Sequence, residues 1–118
     1  MGAAYLLPRV VGFGRATSLL MLGDTIDAET AERYGLVSQL VDDDQLDDAV
    51  AALAGRISSG PSLALSQTKS LLTRELDMSL SSSMELDAMT QALLMTTDDH
   101  AEFHAAFKDG RPPAWKGQ

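Results

Sequence analysis

The sequence contains no cysteine among its 118 residues. This absence excludes disulfide bonds, a thiolate nucleophile and any zinc site built on cysteine ligands. Positive charge is also scarce, because 9 lysine and arginine residues stand against 17 aspartate and glutamate residues, a formal net charge of −8. Nucleic acids and anionic membrane surfaces would repel such a chain, so neither is expected as a general partner.

Long apolar runs are missing as well. No segment approaches the roughly 20 apolar residues that span a bilayer. The N-terminus has neither the basic segment nor the apolar stretch of a signal peptide. Hydrophobic residues make up 45% of the chain, which is ordinary for a globular domain with one core. We therefore expect a soluble, cytoplasmic protein of at most one domain, with no membrane association.

The first half of the chain reads as short helices around one strand. Asp27 is placed to cap a helix, and Gly35 to end it in the left-handed conformation. Residues 36–41 (LVSQLV) are rich in β-forming types and predict one short strand. Further helices are expected at 3–11, where Pro8 interrupts the pattern, at 16–22, and at 42–57. Segment 16–22 is apolar nearly all round and is expected to be buried.

The second half reads as three longer helices, at 61–76, 79–95 and 98–110. The middle one carries two apolar stripes, and a helix with two apolar faces needs two partners. The first stripe comprises Leu80, Met84, Ala88, Ala92 and Met95, and the second comprises Leu86, Met89 and Leu93. The partners would be the chain's own core together with a neighbouring subunit or the missing half of the protein. Alternatively, this is a central helix buried on both faces within a single domain. Trp115, the only tryptophan, is expected to anchor the tail by packing.

Few residues suggest chemistry. His100 and His104 are four positions apart, so both rings can lie on one side of a helix. Glu102 points to a different side and no third ligand is placed, so two solvated histidines are expected and no metal site. The acidic cluster at 42–48 lacks the spacing and glycine of a calcium loop, and helix capping explains it. From the residues alone the chain is an acidic, mainly helical domain with no assignable catalytic residue.

Four blocks of sequence nevertheless follow one another in a familiar order. They are 2–12 (GAAYLLPRVVG), 23–41 (GDTIDAETAERYGLVSQLV), 61–69 (PSLALSQTK) and 106–115 (AFKDGRPPAW). Together they resemble the C-terminal half of the enoyl-CoA hydratase/isomerase (crotonase) family. The fold class that follows is mainly α with one short strand, as the C-terminal part of a β-β-α spiral and its helical oligomerisation region.

The resemblance implies an organisation and a set of partners. Residues 1–58 would be the end of the spiral core, and residues 59–118 the helical region that packs subunits into trimers, often paired as hexamers. The partners would be further copies of the chain or a separate N-terminal half. The substrates would be acyl-CoA thioesters of fatty-acid metabolism, with no tightly bound cofactor, and the enzyme would be a lyase or an isomerase.

The resemblance also implies where the chemistry lies. Family members stabilise a thioester enolate with two backbone N–H groups and move protons with carboxylates. Those positions would lie upstream of Met1, so no catalytic residue is expected here and the chain alone is expected to be inactive. Phe107, Lys108 and Arg111 match the helix end that approaches the nucleotide of coenzyme A, although Gly110 stands where many relatives have lysine.

Each of these implications has an alternative. The two cations can instead be solvated groups that favour the helix C-terminus. The whole chain can instead be a non-catalytic helical oligomerisation or interaction module derived from the same family.

Overall fold

The computed structural model describes residues 2–117, which are mainly helical and contain no strand. The chain forms two compact units that divide between Ala49 and Val50. The first contains α1 (Ala3–Val11), α2 (Phe13–Leu22) and α3 (Ala28–Arg33). A 3₁₀ turn (Asp43–Gln45) leads into α4 (Leu46–Ser58), which crosses the division. The second contains α5 (Ser62–Arg74), a 3₁₀ turn (Glu75–Asp77), α6 (Leu80–Leu94) and α7 (Asp98–Asp109). Within residues 2–117, no helix is long and apolar enough to cross a bilayer.

Local sequence signals frame α3 as expected. The Asp27 carboxylate accepts a hydrogen bond from the Thr30 backbone N–H at 2.8 Å, which satisfies one of the free donors of the first turn. At the other end Gly35 has φ 75°, and its N–H donates to the Glu32 carbonyl at 2.8 Å. A residue without a Cβ adopts this left-handed conformation freely, so the chain turns away from the helix there.

The strand predicted at 36–41 does not form. Within the described residues this segment is bent and irregular. Its Leu40 N–H donates to the Glu32 carboxylate at 2.9 Å and not to a neighbouring strand. A strand is stable only when a partner supplies the other side of its hydrogen-bond ladder. The prediction was wrong because β-forming residue types do not provide that partner.

The first helix keeps its predicted bounds, whereas the second begins at Phe13, three residues earlier than predicted, and lacks the predicted burial. Pro8 lies inside α1 without ending it, and the helix stops at Gly12 as expected. In the first unit only Val11 and Ala16 are buried among the described residues. On α2, expected to be buried, Met21 is 79% exposed. A helix that is apolar all round must pack against other elements on several sides. The described residues of this chain pack against only part of the α2 surface.

The second unit shows the same excess of uncovered apolar surface. Ser79 caps α6, and its hydroxyl accepts from the Ser82 N–H at 3.3 Å. Both predicted stripes of α6 are largely uncovered, so neither forms a core; the exposed members are Leu80, Met84, Ala88, Ala92, Met95, Met89 and Leu93, while Leu86 is half-buried.

Candidate functional site

The end of α7 turns the chain back on itself. The Thr97 hydroxyl caps the start of the helix by accepting from the His100 N–H at 3.2 Å. At the other end Gly110 has φ 65°, and the Arg111 N–H donates to the Ala106 carbonyl at 3.1 Å. This C-cap directs residues 111–117 back along the helix.

Asp99 holds the far end of that returning segment. Its side chain is buried, with the residue only 6% exposed. One carboxylate oxygen accepts from the Lys116 N–H at 2.6 Å and the other from the Gly117 N–H at 3.0 Å. The neighbouring Asp98 lies 3.4 Å from the Lys116 Nζ in an exposed ion pair. Burial of the Asp99 carboxylate is compensated by these backbone donors, as a buried charge requires.

Glu102 holds the near end, one helical turn from Asp99. It accepts from both terminal nitrogens of the Arg111 guanidinium, at 2.6 and 3.1 Å, and from the Ala114 N–H at 2.7 Å. The hydrogen bond from Arg111, followed by that from Ala114, lowers the pKa of Glu102 to about 2. Donors to the ionised form favour it, which is why the carboxylate titrates far below its usual range.

A cavity of about 580 Å³ lies within the second unit, and the returning segment forms part of its wall. Trp115 is half-buried there, as the expected packing anchor of the tail requires. The apolar lining includes Leu63, Leu71, Leu94, Met95, Phe103 and Trp115. The polar lining includes Asp87, Thr90, Gln91 and His100. A mostly apolar space with a few polar groups has the composition of a ligand pocket.

The three residues expected to contact coenzyme A lie in or just after the last turn of α7, and they differ in exposure and in pairing. Phe107 is 81% exposed and stacks on Phe103, with 6.4 Å between ring centroids. Lys108 is exposed, and no carboxylate of residues 2–117 pairs with it. Arg111, in contrast, is already bonded to Glu102 and lies 3.6 Å from the Asp109 carboxylate. Its guanidinium therefore already has carboxylate partners within the chain.

The two histidines of α7 contact each other. Their Nε2 atoms are 3.3 Å apart and the rings meet edge to face, with 4.6 Å between centroids. His104 is exposed and His100 half-buried. No group of three or more histidine, aspartate or glutamate side chains in the described residues is arranged to hold a metal ion.

The family model described as enoyl-CoA hydratase/isomerase matches residues 1–118. The chain belongs to this family. It is 32% identical over 117 residues to a 1,2-epoxyphenylacetyl-CoA isomerase of Escherichia coli K12, covering 99% of this chain and 45% of that protein. It is 37% identical over 117 residues to a probable enoyl-CoA hydratase of Mycobacterium tuberculosis H37Rv, covering 98% and 41%. The names of both relatives refer to coenzyme A thioesters.

Solved structures of the enoyl-CoA hydratase/isomerase family share the fold. One described as an enoyl-CoA hydratase of Streptomyces coelicolor A3(2) is 62% identical, with a TM-score of 0.94, over 99% of this chain and 42% of that one. The chain thus spans less than half the length of the relatives it matches, and corresponds to their C-terminal part. The recognition of this family from four sequence blocks, and of its mainly helical C-terminal part, is confirmed.

Sequence reasoning missed Asp99 and Glu102. Asp99 falls at the start of the predicted helix 98–110 and Glu102 lies between the two histidines, and neither position by itself indicates a contact with the segment after the helix. Their partners lie 9 to 18 positions away, beyond the range of helix periodicity. The available signal was two acidic residues three positions apart on a helix followed by an arginine and a tryptophan.

Proposed function

We propose that this chain is the C-terminal helical part of an enzyme that hydrates or isomerises enoyl-CoA thioesters. The observation that carries the proposal is the match of residues 1–118 to the family model, supported by 62% identity and a TM-score of 0.94 to the Streptomyces protein. Fatty-acid metabolism is the process, and the cytoplasm the compartment, in which we place this activity.

The part we assign to the chain is binding and assembly. We propose that the oxyanion N–H groups and the catalytic carboxylates of the enzyme lie in the region of the relatives that this chain does not cover. The end of α7 offers an exposed aromatic ring, Phe107, and an exposed cation, Lys108, that pairs with no carboxylate of residues 2–117. These two groups fit the nucleotide end of coenzyme A, because the ring can stack on adenine and the ammonium can pair with phosphate. Arg111 would act indirectly, by holding its segment in place.

The uncovered apolar surface supports a role in assembly. Met21 and Leu22 on α2 are 79% and 69% exposed, and Met89 and Leu93 on α6 are 67% and 53% exposed. Surfaces of this kind mark contacts with other polypeptide. We propose that copies of the chain, as a trimer or hexamer, and the N-terminal region found in the relatives cover them. Sedimentation of the chain at micromolar concentration should show an oligomer, and a sharp monomer would contradict this.

A chimeric enzyme tests the catalytic proposal. The matching C-terminal 42% of the Streptomyces protein is replaced by this chain, and crotonyl-CoA hydration is followed by the loss of the enoyl thioester's ultraviolet absorbance. The unmodified Streptomyces protein is assayed first as the reference, with the isolated 118-residue chain as the inactive control. We expect the chimera to be active. A folded chimera without turnover, beside an active reference, would favour the non-catalytic module instead.

A further inference from the structure

We propose that residues 111–117 form a strap that opens and closes the side of the 580 Å³ cavity, with Asp99 as its latch and Trp115 as its movable wall. The inference concerns only the second unit and is independent of the proposed enzymatic function.

The strap is fastened by side chains and not by its own secondary structure. Within the described residues, no backbone-to-backbone hydrogen bond joins 112–117 to any helix. The main fastenings are the Asp99 carboxylate, which accepts from the N–H groups of Lys116 and Gly117, and the Glu102 carboxylate, which accepts from Arg111 and Ala114. The exposed ion pair between Asp98 and the Lys116 Nζ is a third, weaker contact. Release of the two main fastenings breaks no bond of α7, so the segment can detach while the helix remains intact.

The two fastenings differ in kind. Glu102 lies among exposed groups, where water competes for each donor. Asp99 is buried at 6% exposure, and both of its oxygens are used by backbone donors. Loss of the Asp99 bonds would leave a buried carboxylate unpaired unless water enters. The strap is therefore closed while the Asp99 carboxylate holds these two N–H groups, and it opens when water replaces them.

The end of the strap is also fitted against α5. A Cβ added to Gly117 would lie 2.6 Å from the Ser62 Oγ, and its φ is 76°. The close approach and the left-handed backbone both favour glycine at this position. The strap thus runs from the C-terminal end of α7 to the first residue of α5, and it carries Trp115 into the cavity wall between them.

The single tryptophan of the chain reports directly on the strap. In the wild-type chain, the Lys116 and Gly117 amides should exchange with deuterium more slowly than unprotected amides but faster than those in the middle of α7. This intermediate rate is the signature of local opening. Exchange of the strap together with α7, or without any protection, would overturn the proposal.

Asp99→Asn and Asp98→Asn form a matched pair, because each removes one charge from the first turn of α7 and only Asp99 holds strap N–H groups. In Asp99→Asn we expect exchange of the two strap amides to accelerate at least about tenfold, from the usual strength of hydrogen bonds to a carboxylate. Trp115 emission should shift to longer wavelength with stronger acrylamide quenching, while the α7 amides stay protected. Asp98→Asn removes only the exposed ion pair with the Lys116 Nζ, so its exchange rates and Trp115 signal should stay close to those of the wild type.

Equal effects of the two substitutions, or an unchanged Trp115 signal in a folded Asp99→Asn chain, would contradict the latch. If Asp99→Asn does not fold, Glu102→Gln takes its place, since it weakens the other fastening at a half-buried position. Increased quenching of Trp115 in Glu102→Gln supports the strap, and unchanged quenching overturns it. The wild-type exchange rates decide independently of any variant.

Discussion

Replacing Lys108 by alanine in the chimeric enzyme is expected to weaken coenzyme A binding about fivefold at low ionic strength. The Lys108 ammonium is exposed and has no carboxylate partner in the described part of the chain, so its charge is available to a phosphate. An exposed ion pair of this kind contributes at most about 1 kcal/mol, which corresponds to roughly a fivefold change in dissociation constant.

Arg111 should behave differently, although it stands close by. Its guanidinium already donates to Glu102 at 2.6 and 3.1 Å, so Arg111→Ala should first loosen the strap and alter Trp115 emission. Lys116→Ala is the matched control for charge, because it removes one cation that lies 3.4 Å from Asp98. Its effect on coenzyme A affinity should be much smaller than that of Lys108→Ala.

Calorimetric titration with coenzyme A at two ionic strengths checks this difference. The Debye length is about 30 Å at 0.01 M and about 3 Å at 1 M ionic strength, so the effect of Lys108→Ala should be largest at low salt and vanish at high salt. Wild-type affinity of Lys108→Ala at low salt would refute the reasoning. Equal weakening by Lys116→Ala would mean that only overall charge matters.

Four further substitutions test contributions to stability. Gly35→Ala should lower the free energy of unfolding by about 1–2 kcal/mol, because φ is 75° there. Gly55→Ala should raise it by about 0.5–1 kcal/mol, because Gly55 lies inside α4 with open space at its Cβ position; urea unfolding giving the same sign for both would contradict this. The pKa of Glu102 is lowered from 4.5 to about 2, so its stabilisation is complete above pH 4.5 and is lost as the pH falls towards 2. Glu102→Gln should therefore flatten the acid dependence of unfolding in that range, and an unchanged slope would count against the ion pair. Thr97→Ala should cost about 1 kcal/mol as a lost N-cap, and thermal unfolding should show a clearly smaller cost for Thr96→Ala, whose hydroxyl donates only to a backbone carbonyl.

Features that depend on neighbouring residues were predictable from the sequence. Asp27 marks the start of α3 and Gly35 follows its end, and each takes part in a hydrogen bond to a residue three positions away. Gly110 ends α7 in the same way. Such signals need no knowledge of the tertiary fold, because the donor and acceptor are brought together by one helical turn.

Features that depend on distant partners were not predictable. The strand at 36–41 has no partner within residues 2–117, and the burial of α2 depends on cover that this chain does not provide. The strap escaped prediction for the opposite reason, since Asp99 and Glu102 find their donors only after the chain reverses at Gly110. Arg111 was expected to contact a phosphate of coenzyme A. No local pattern indicated that its guanidinium would donate to Glu102 in the preceding helix.

The two exposed apolar stripes of α6 affect the chemical durability of the protein. Met84 on the first stripe is 62% exposed, Met95 at the C-cap of the helix is 55% exposed, and Met89 on the second stripe is 67% exposed, so their thioethers are open to peroxide. Oxidation converts this flexible apolar group into a polar sulfoxide, which would turn a surface suited to contact with other polypeptide into one that prefers water. A partner that covers one stripe would protect the methionines of that stripe and leave those of the other open to oxidation. Comparing sulfoxide formation at Met84 with that at Met89 would therefore show which of the two stripes is covered.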